Sequence, residues 1–406
     1  MDRIYHAILK DHYKKYPQMA FLVGPRQVGK TTIAKQLQKD FSESIYLNWD
    51  VVSDREKILS GQTFIQDIFS LSILRDEKPL VIFDEIHKYK HWKNDLKGFF
   101  DLYKDHYHIL VTGSARLDIY QAGGDSLMGR YFQYSVHPLT LRELLDSNMH
   151  AAHAKDLFAM PSADESNLLP RLFDYGGFPD PFLKSDREFS NLWQATRLKQ
   201  LFFEDILSVA QIHDVHLMEV LAELLKEQSG QLLNRSSLAK KIKVTTQTIS
   251  RWLETLERFY YCFAVPPWHK NVTRSLIKEP KLFLWDWSVI KNEGSRFENM
   301  LAVSLLKFCK FWSEQGKHNF DLYYLRDIDK KEVDFLITKD RTPYLMVEVK
   351  LSDLSLSKHL WHFQRQLQAP FNLQVTYNLK AIEQTCFKDD GGIYIAPAVT
   401  FLSQLV

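Results

Sequence analysis

The chain has 406 residues, 45% hydrophobic and 25% charged, with only 15 Gly and 14 Pro; that is material for two or three cores and excludes a disordered or low-complexity chain. Its 52 Lys and Arg against 50 Asp and Glu leave a formal charge of +2, so a nucleic-acid surface has to be a local patch. The cysteines Cys262, Cys309 and Cys386 are far apart and lack CxxC spacing, which excludes a zinc module and a disulfide framework and fits a reducing compartment.

Charged residues from Asp2 to Lys15 interrupt any signal-like apolar stretch, and no run approaches the roughly 18 apolar residues of a membrane span. The expectation is a cytoplasmic protein with no membrane partner. Up to about Asp146, short apolar runs alternate with helical stretches: Met19–Val23, Ser44–Leu47, Leu80–Phe83 and His108–Val111 read as strands of a parallel sheet. Ligands of such sheets gather at the strands' C-terminal ends.

Directly after the first of these strands comes Gly24-Pro25-Arg26-Gln27-Val28-Gly29-Lys30-Thr31, which fits G-x-x-x-x-G-K-[ST] and is followed by a helix-like run from Thr32. Gly24 and Gly29 let the backbone curl around a phosphate chain, and the loop residues Pro25, Gln27, Val28 and Thr32 line it. Lys30 is placed to contact the β/γ oxygens of ATP, and Thr31 to ligate Mg²⁺. Leu80-Val81-Ile82-Phe83 ends in Asp84-Glu85. Asp84 is the candidate metal carboxylate and Glu85 the base that directs the attacking water, although an Asp-Glu pair after a strand is commonly a solvated turn. Thr112 and Ser114, at another strand end, are candidates to sense the γ-phosphate or position water. Arg130, with Arg116 as rival, is a candidate to neutralise charge on the transferred phosphoryl group, within one chain or across a subunit boundary. A homo-oligomer is thereby left open.

From about Ser147 to Ser229 the sequence is mostly helical, broken by Pro161, Pro170 and the Gly176–Pro181 turn cluster. Next, Leu238, Ala239 and Ile242 form one helical apolar face, and Ile249, Leu253 and Leu256 a second, a helix-turn-helix whose second helix opens with Thr245, Thr246, Gln247 and Thr248. With Lys240, Lys241, Lys243 and Arg251 it makes the local basic patch that DNA contact needs, though such units also serve as plain packing or protein-docking modules.

After a helical Glu298 to Phe311, strands around Tyr323, Val333 to Thr338 and Tyr344 to Val349 imply a separate α/β core. Glu348 and Lys350 share a strand face, and the hairpin register sets Asp334 opposite. Asp334 and Glu348 are candidate Mg²⁺ ligands, with Lys350 activating water or stabilising a pentavalent phosphate. The arrangement resembles the PD-(D/E)xK nuclease fold; that resemblance implies a further acid from an earlier helix, and Glu298 stands in its place. Val333 replaces the usual proline before Asp334.

The phosphate loop, Ile82–His87, Thr112-Gly113-Ser114, Gly129-Arg130, His137–Leu144, Gly176–Pro179, Arg296–Asn299 and Glu332–Phe335 together resemble prokaryotic AAA-type ATPases carrying a DUF4143 region. The resemblance covers nearly the whole chain and implies ATP hydrolysis by an additional-strand P-loop ATPase. The expected architecture is α/β: a P-loop NTPase domain with a parallel sheet over 1–146, a helical connector over 147–229, a winged helix over 230–290 and a restriction-endonuclease-like α/β domain over 291–406. Two functions follow from it. One is a Mg²⁺-dependent ATP hydrolase that binds and cleaves DNA; the other is a nucleotide-dependent binding switch whose nuclease-like domain is inactive.

Overall fold

A computed structural model of the chain describes residues 3–61, 69, 77–113, 127–145, 167–207, 214–269, 279–382 and 384–405. It separates into two compact units, the described residues of the first ending at His137 and those of the second starting at Pro138. The segment after Pro138, which the sequence groups with the N-terminal domain, lies in the second unit. Ser114 and Arg116 fall outside the described residues.

The first unit begins with helix α1 (Ile4–Lys15) and strand β1 (Met19–Val23), followed by α2 (Lys30–Gln38), β2 (Ser44–Asn48), α3 (Val52–Leu59), β3 (Leu80–Asp84), α4 (Trp92–Tyr103), β4 (His108–Gly113) and β5 (Tyr131–Ser135). The strands form one parallel sheet in the order β2-β3-β4-β1-β5. Strands β1 and β3 are buried along their whole length, as expected of apolar runs covered on both faces. Phe21, Val81, Phe83, Leu96, Phe99 and Val111 belong to the core between the sheet and α4. Strand β4 stands between the strand that carries the phosphate loop and the strand that ends in Asp84. Because all strands run the same way, Val23, Asp84 and Gly113 come to one edge, where ligand crevices of parallel sheets form.

The second unit contains α5 (Leu141–Leu145), α6 (Leu168–Tyr175), α7 (Pro179–Lys184) and α8 (Arg187–Gln200), the last running on into a π-helical turn over Leu201–Ile206. Then come α9 (Val215–Glu227), α10 (Arg235–Ile242) and α11 (Thr246–Arg258), with a two-stranded antiparallel ladder of β6 (Cys262–Val265) and β7 (Lys281–Leu284). Asn234 caps α10 and Thr245 caps α11 through their side-chain oxygens, and Lys243 makes the turn between them at φ +62°.

Helix α12 (Glu293–Ser313) leads into β8 (Phe320–Arg326), β9 (Glu332–Lys339), β10 (Thr342–Lys350), α13 (Lys358–Leu367), β11 (Phe371–Thr376), β12 (Ile393–Pro397) and α14 (Ala398–Gln404). The sheet order is β12-β11-β10-β9-β8, antiparallel across β8, β9 and β10 and parallel across β10, β11 and β12. Lys307 on α12 and Glu143 on α5 form a fully buried ion pair at 2.5 Å. Asn299 on α12 accepts from the Leu284 N–H at 2.8 Å and donates to the Leu284 carbonyl at 2.6 Å, fixing β7 against the helix.

Candidate nucleotide site and second acidic cluster

The loop Gly24–Lys30 leaves β1 and runs straight into α2, whose first turn no side chain caps. Gly24 has φ +152°, and a Cβ there would collide with the carbonyl of Val136 just beyond β5. Gln27 and Gly29 also take positive φ, 63° and 101°. The curled backbone needs glycine at both ends, as the motif implies. Arg3 holds the cradle from behind: its guanidinium donates to the Val28 carbonyl and to the His137 carbonyl, each at 2.7 Å. The ammonium of Lys30, itself buried, lies over the loop and donates to the carbonyls of Gly24 at 2.9 Å and Pro25 at 2.6 Å. Thr31, Thr32 and Gln27 are exposed at the rim.

Asp84, 1% exposed, sits at the end of β3. Its Oδ2 accepts from Thr31 at 2.9 Å and from the Tyr46 hydroxyl, and its Oδ1 accepts from Thr112. Burial, followed by the hydrogen bond to Asp84, pushes the Tyr46 phenol far above its ordinary range. All the partners of Asp84 are neutral hydroxyls, and no cation pairs with it among the described residues. This is a carboxylate with charge to spare beside the loop's hydroxyl, a donor set that fits Mg²⁺. Thr31 and Asp84 are the residues that would hold it.

Glu85, next in the chain, adopts φ +57°, uncommon for a non-glycine residue and frequent at functional sites. Its carboxylate lies 3.4 Å from Lys88 and 3.8 Å from His87, and burial pushes the His87 imidazole below its ordinary range. Two of the site's residues escape sequence reasoning. Tyr46 lies within an ordinary strand, and Arg3 precedes the first helix. Arg130 lies away from the loop within its own chain. Its carbonyl accepts from Met19, so it lies at the N-terminal edge of the sheet, at least about 13 Å of strand from the phosphate loop, and its guanidinium grips Asp101 at 2.8 and 2.9 Å. Within its own chain it does not meet the cradle.

The predicted second metal site is also corrected. The hairpin register continues to set Asp334 beside Glu348, as expected. Yet Lys281, opening β7, brings its ammonium to 2.7 Å from Glu332, 3.0 Å from Glu298 and 3.3 Å from Asp334. The other Asp334 oxygen accepts from the Val349 N–H at 2.9 Å, Glu332 also binds Arg326 at 2.7 Å, and Glu348 pairs with Lys350 at 2.8 Å. The predicted set Glu298, Asp334 and Glu348 is therefore not a vacant oxygen cage, and among the described residues no three His, Cys, Asp or Glu side chains are grouped to hold a metal. Mg²⁺ does not fit here. Burial, then the Asp334 charge, raises Glu298 to about 7, and the same causes raise Glu348.

The loop, its lysine and the hydroxyl-ringed aspartate on a parallel sheet with an inserted strand define a P-loop domain of the AAA type. Residues 16–145 match the family described as an AAA domain. Residues 166–292 and 293–398 match two families described as domains of unknown function, DUF8612 and DUF4143. Similar proteins include an uncharacterized protein of Haemophilus influenzae, 24% identical over 81% of this chain and 82% of that one, and an uncharacterized protein of Methanocaldococcus jannaschii, 23% identical over 91% and 84%. Among solved structures, AMPPCP-bound DnaA from Aquifex aeolicus is similar at 11% identity over 63% of this chain and 87% of that one, with a TM-score of 0.32. C. elegans PCH-2 is similar at 15% identity over 61% and 66%, with a TM-score of 0.26. Likenesses that slight carry no argument. No helix among the described residues is long and apolar enough to cross a membrane.

Proposed function

We propose that the protein is a Mg²⁺-dependent ATP hydrolase acting as a nucleotide-dependent switch, whose second unit binds DNA through a winged helix without cutting it. The observation that carries the hydrolase reading is the contact of Thr31 with Asp84 at 2.9 Å, at the lip of the Gly24–Thr31 loop. Mg²⁺, when bound, neutralises charge on the β and γ oxygens. The chain's own work is to cradle the phosphates with loop N–H groups and α2, to move Lys30 from the Gly24 and Pro25 carbonyls onto phosphate, and to orient water through Glu85. Thr112, hydrogen-bonded to Asp84, reports the γ-phosphate from β4. Arg130, facing away from its own loop, serves the nucleotide of a second copy in a homo-oligomer.

The test is turnover by the full-length protein with Mg²⁺. Lys30→Ala and Glu85→Gln should each lower kcat by about 10²-fold or more; wild-type turnover in either would refute the assignment.

For DNA, the support is the exposed patch of Lys240, Lys241, Lys243 and Arg251 around the first turn of α11, none of them in an ion pair among the described residues. The strands β6 and β7 supply the wing. The succession of α12, three antiparallel strands, α13 and a parallel strand supports a nuclease-like core. The ammonium among its acids favours the switch over the nuclease.

A further inference from the structure

The acids of the second unit enclose a lysine that is 4% exposed in its side chain. Glu298 reaches it from α12, and Glu332 and Asp334 reach it from one face of β9, because residues two apart on a strand point the same way. Three N–H donors meet three carboxylates, and the ring of Tyr324 lies 5.8 Å from the ammonium. The position of β7 is not accidental, since Asn299 grips Leu284 through both backbone groups. At Gly230, φ +80°, a Cβ would stand 2.9 Å from a Glu298 oxygen, so glycine there makes room for the acid.

A second observation points to a displaced cation. Glu348 is 6% exposed, and its Oε2 forms no hydrogen bond among the described residues, although Asp334 is close enough to perturb it. A buried carboxylate oxygen without a partner is costly. A divalent ion of the Mg²⁺ type needs oxygens at about 2.0–2.1 Å, whereas the Lys281 nitrogen already stands 2.7–3.3 Å from the three acids. The two cations exclude one another.

We propose that Lys281 is a resident cation that occupies this acid cluster in place of a divalent metal, clamping β7 to the five-stranded sheet, and that the cluster becomes a divalent-cation site only when that ammonium is removed. This stands apart from the ATP and DNA readings and would survive their failure. The test uses full-length protein carrying Asp84→Asn, to silence the nucleotide site, titrated with Mn²⁺ at pH 8 without nucleotide and followed by electron paramagnetic resonance of free Mn²⁺.

With Lys281 intact, adding Asp334→Asn should leave Mn²⁺ uptake unchanged. Lys281→Met should gain about one ion per chain, and Lys281→Met with Asp334→Asn should lose it again. Uptake that falls on Asp334→Asn while Lys281 is present would overturn the proposal. If Lys281→Met is unfolded without metal, Mn²⁺ should restore its circular dichroism and thermal transition. A variant that gains neither an ion nor an Mn²⁺-dependent fold also overturns it.

Discussion

The ion pair between Lys307 and Glu143 allows a quantitative test of how the segment after His137 is held. Both side chains are almost wholly buried, 0% and 1% exposed, with the ammonium 2.5 Å from the carboxylate. The same nitrogen reaches the Pro138 carbonyl at 3.2 Å and the Thr140 hydroxyl at 3.4 Å. Lys307→Met keeps most of the stem's volume but removes the ammonium that pairs with the buried Glu143. Loss of one partner of a buried pair costs about 3–5 kcal/mol. With a urea m-value of about 3 kcal/mol/M for a unit this size, the midpoint should fall by about 1–1.7 M. Lys307→Met with Glu143→Leu removes both charges and should recover most of the loss, because a well-packed apolar pair is often as stable as the ion pair it replaces. Equilibrium urea unfolding, followed by tryptophan fluorescence with Trp285, Trp287 and Trp312 all buried in this unit, reads both variants. A single variant that costs under about 1 kcal/mol, or a double variant as weak as the single, would refute the reasoning.

Three further outcomes are expected. Glu298, raised to about 7 from 4.5, keeps a proton in the fold that the unfolded chain has lost, so its contribution is complete below about pH 4.5 and disappears as pH rises through 7. Melting temperature should fall across that window; Glu298→Gln should flatten the profile, and an unchanged slope would rule Glu298 out as its source. Tyr46→Phe and Thr112→Val each remove a hydroxyl that holds Asp84. They should raise the Mg²⁺ concentration for half-maximal hydrolysis by about tenfold, a hydrogen bond to a charged group being worth about 1.5–3 kcal/mol, and unaltered Mg²⁺ dependence would remove both from the site. Lys240→Gln with Lys243→Gln should weaken binding to duplex DNA of any sequence and lower the slope of log affinity against log salt by about 2; an unchanged slope would place DNA, if bound, elsewhere.

The parallel sheet of the first unit was legible because its buried strands are continuous apolar runs, and the expected and observed spans of β1 to β4 agree to within two residues. Strand β5 was missed: Tyr131–Ser135 is a half-exposed edge strand in which Gln and Ser break the apolar signal. The loop and Asp84 were readable since their chemistry is local, a spacing or a strand end. The position of Arg130 was not legible, for the opposite reason. Nothing in a Gly-Arg pair tells which edge of the sheet it will reach, and the pairing of Met19 with its carbonyl decides that. Lys281 was invisible because a lysine that opens a short strand reads as solvated. Only the docking of β7 on Asn299, 15 residues from Leu284 in the chain, brings it among acids drawn from two other elements.

The two acidic clusters differ in what satisfies their carboxylates, and that difference decides which of them wants a metal. Asp84 is held by Thr31, Tyr46 and Thr112, neutral donors that fix its direction but leave its charge uncompensated in a buried place. Under the proposed function, Asp84 would offer that uncompensated carboxylate and Thr31 its hydroxyl to a divalent cation. Around Lys281 the negative charge is already met by an ammonium on the chain itself, with Arg326 and Lys350 on the flanking acids. A metal arriving there would have to displace a buried lysine and leave that charge unpaired, a loss of the same kind as cutting a buried ion pair. Asp84 thus meets only neutral hydroxyls, whereas Glu298, Glu332 and Asp334 meet an ammonium of the chain.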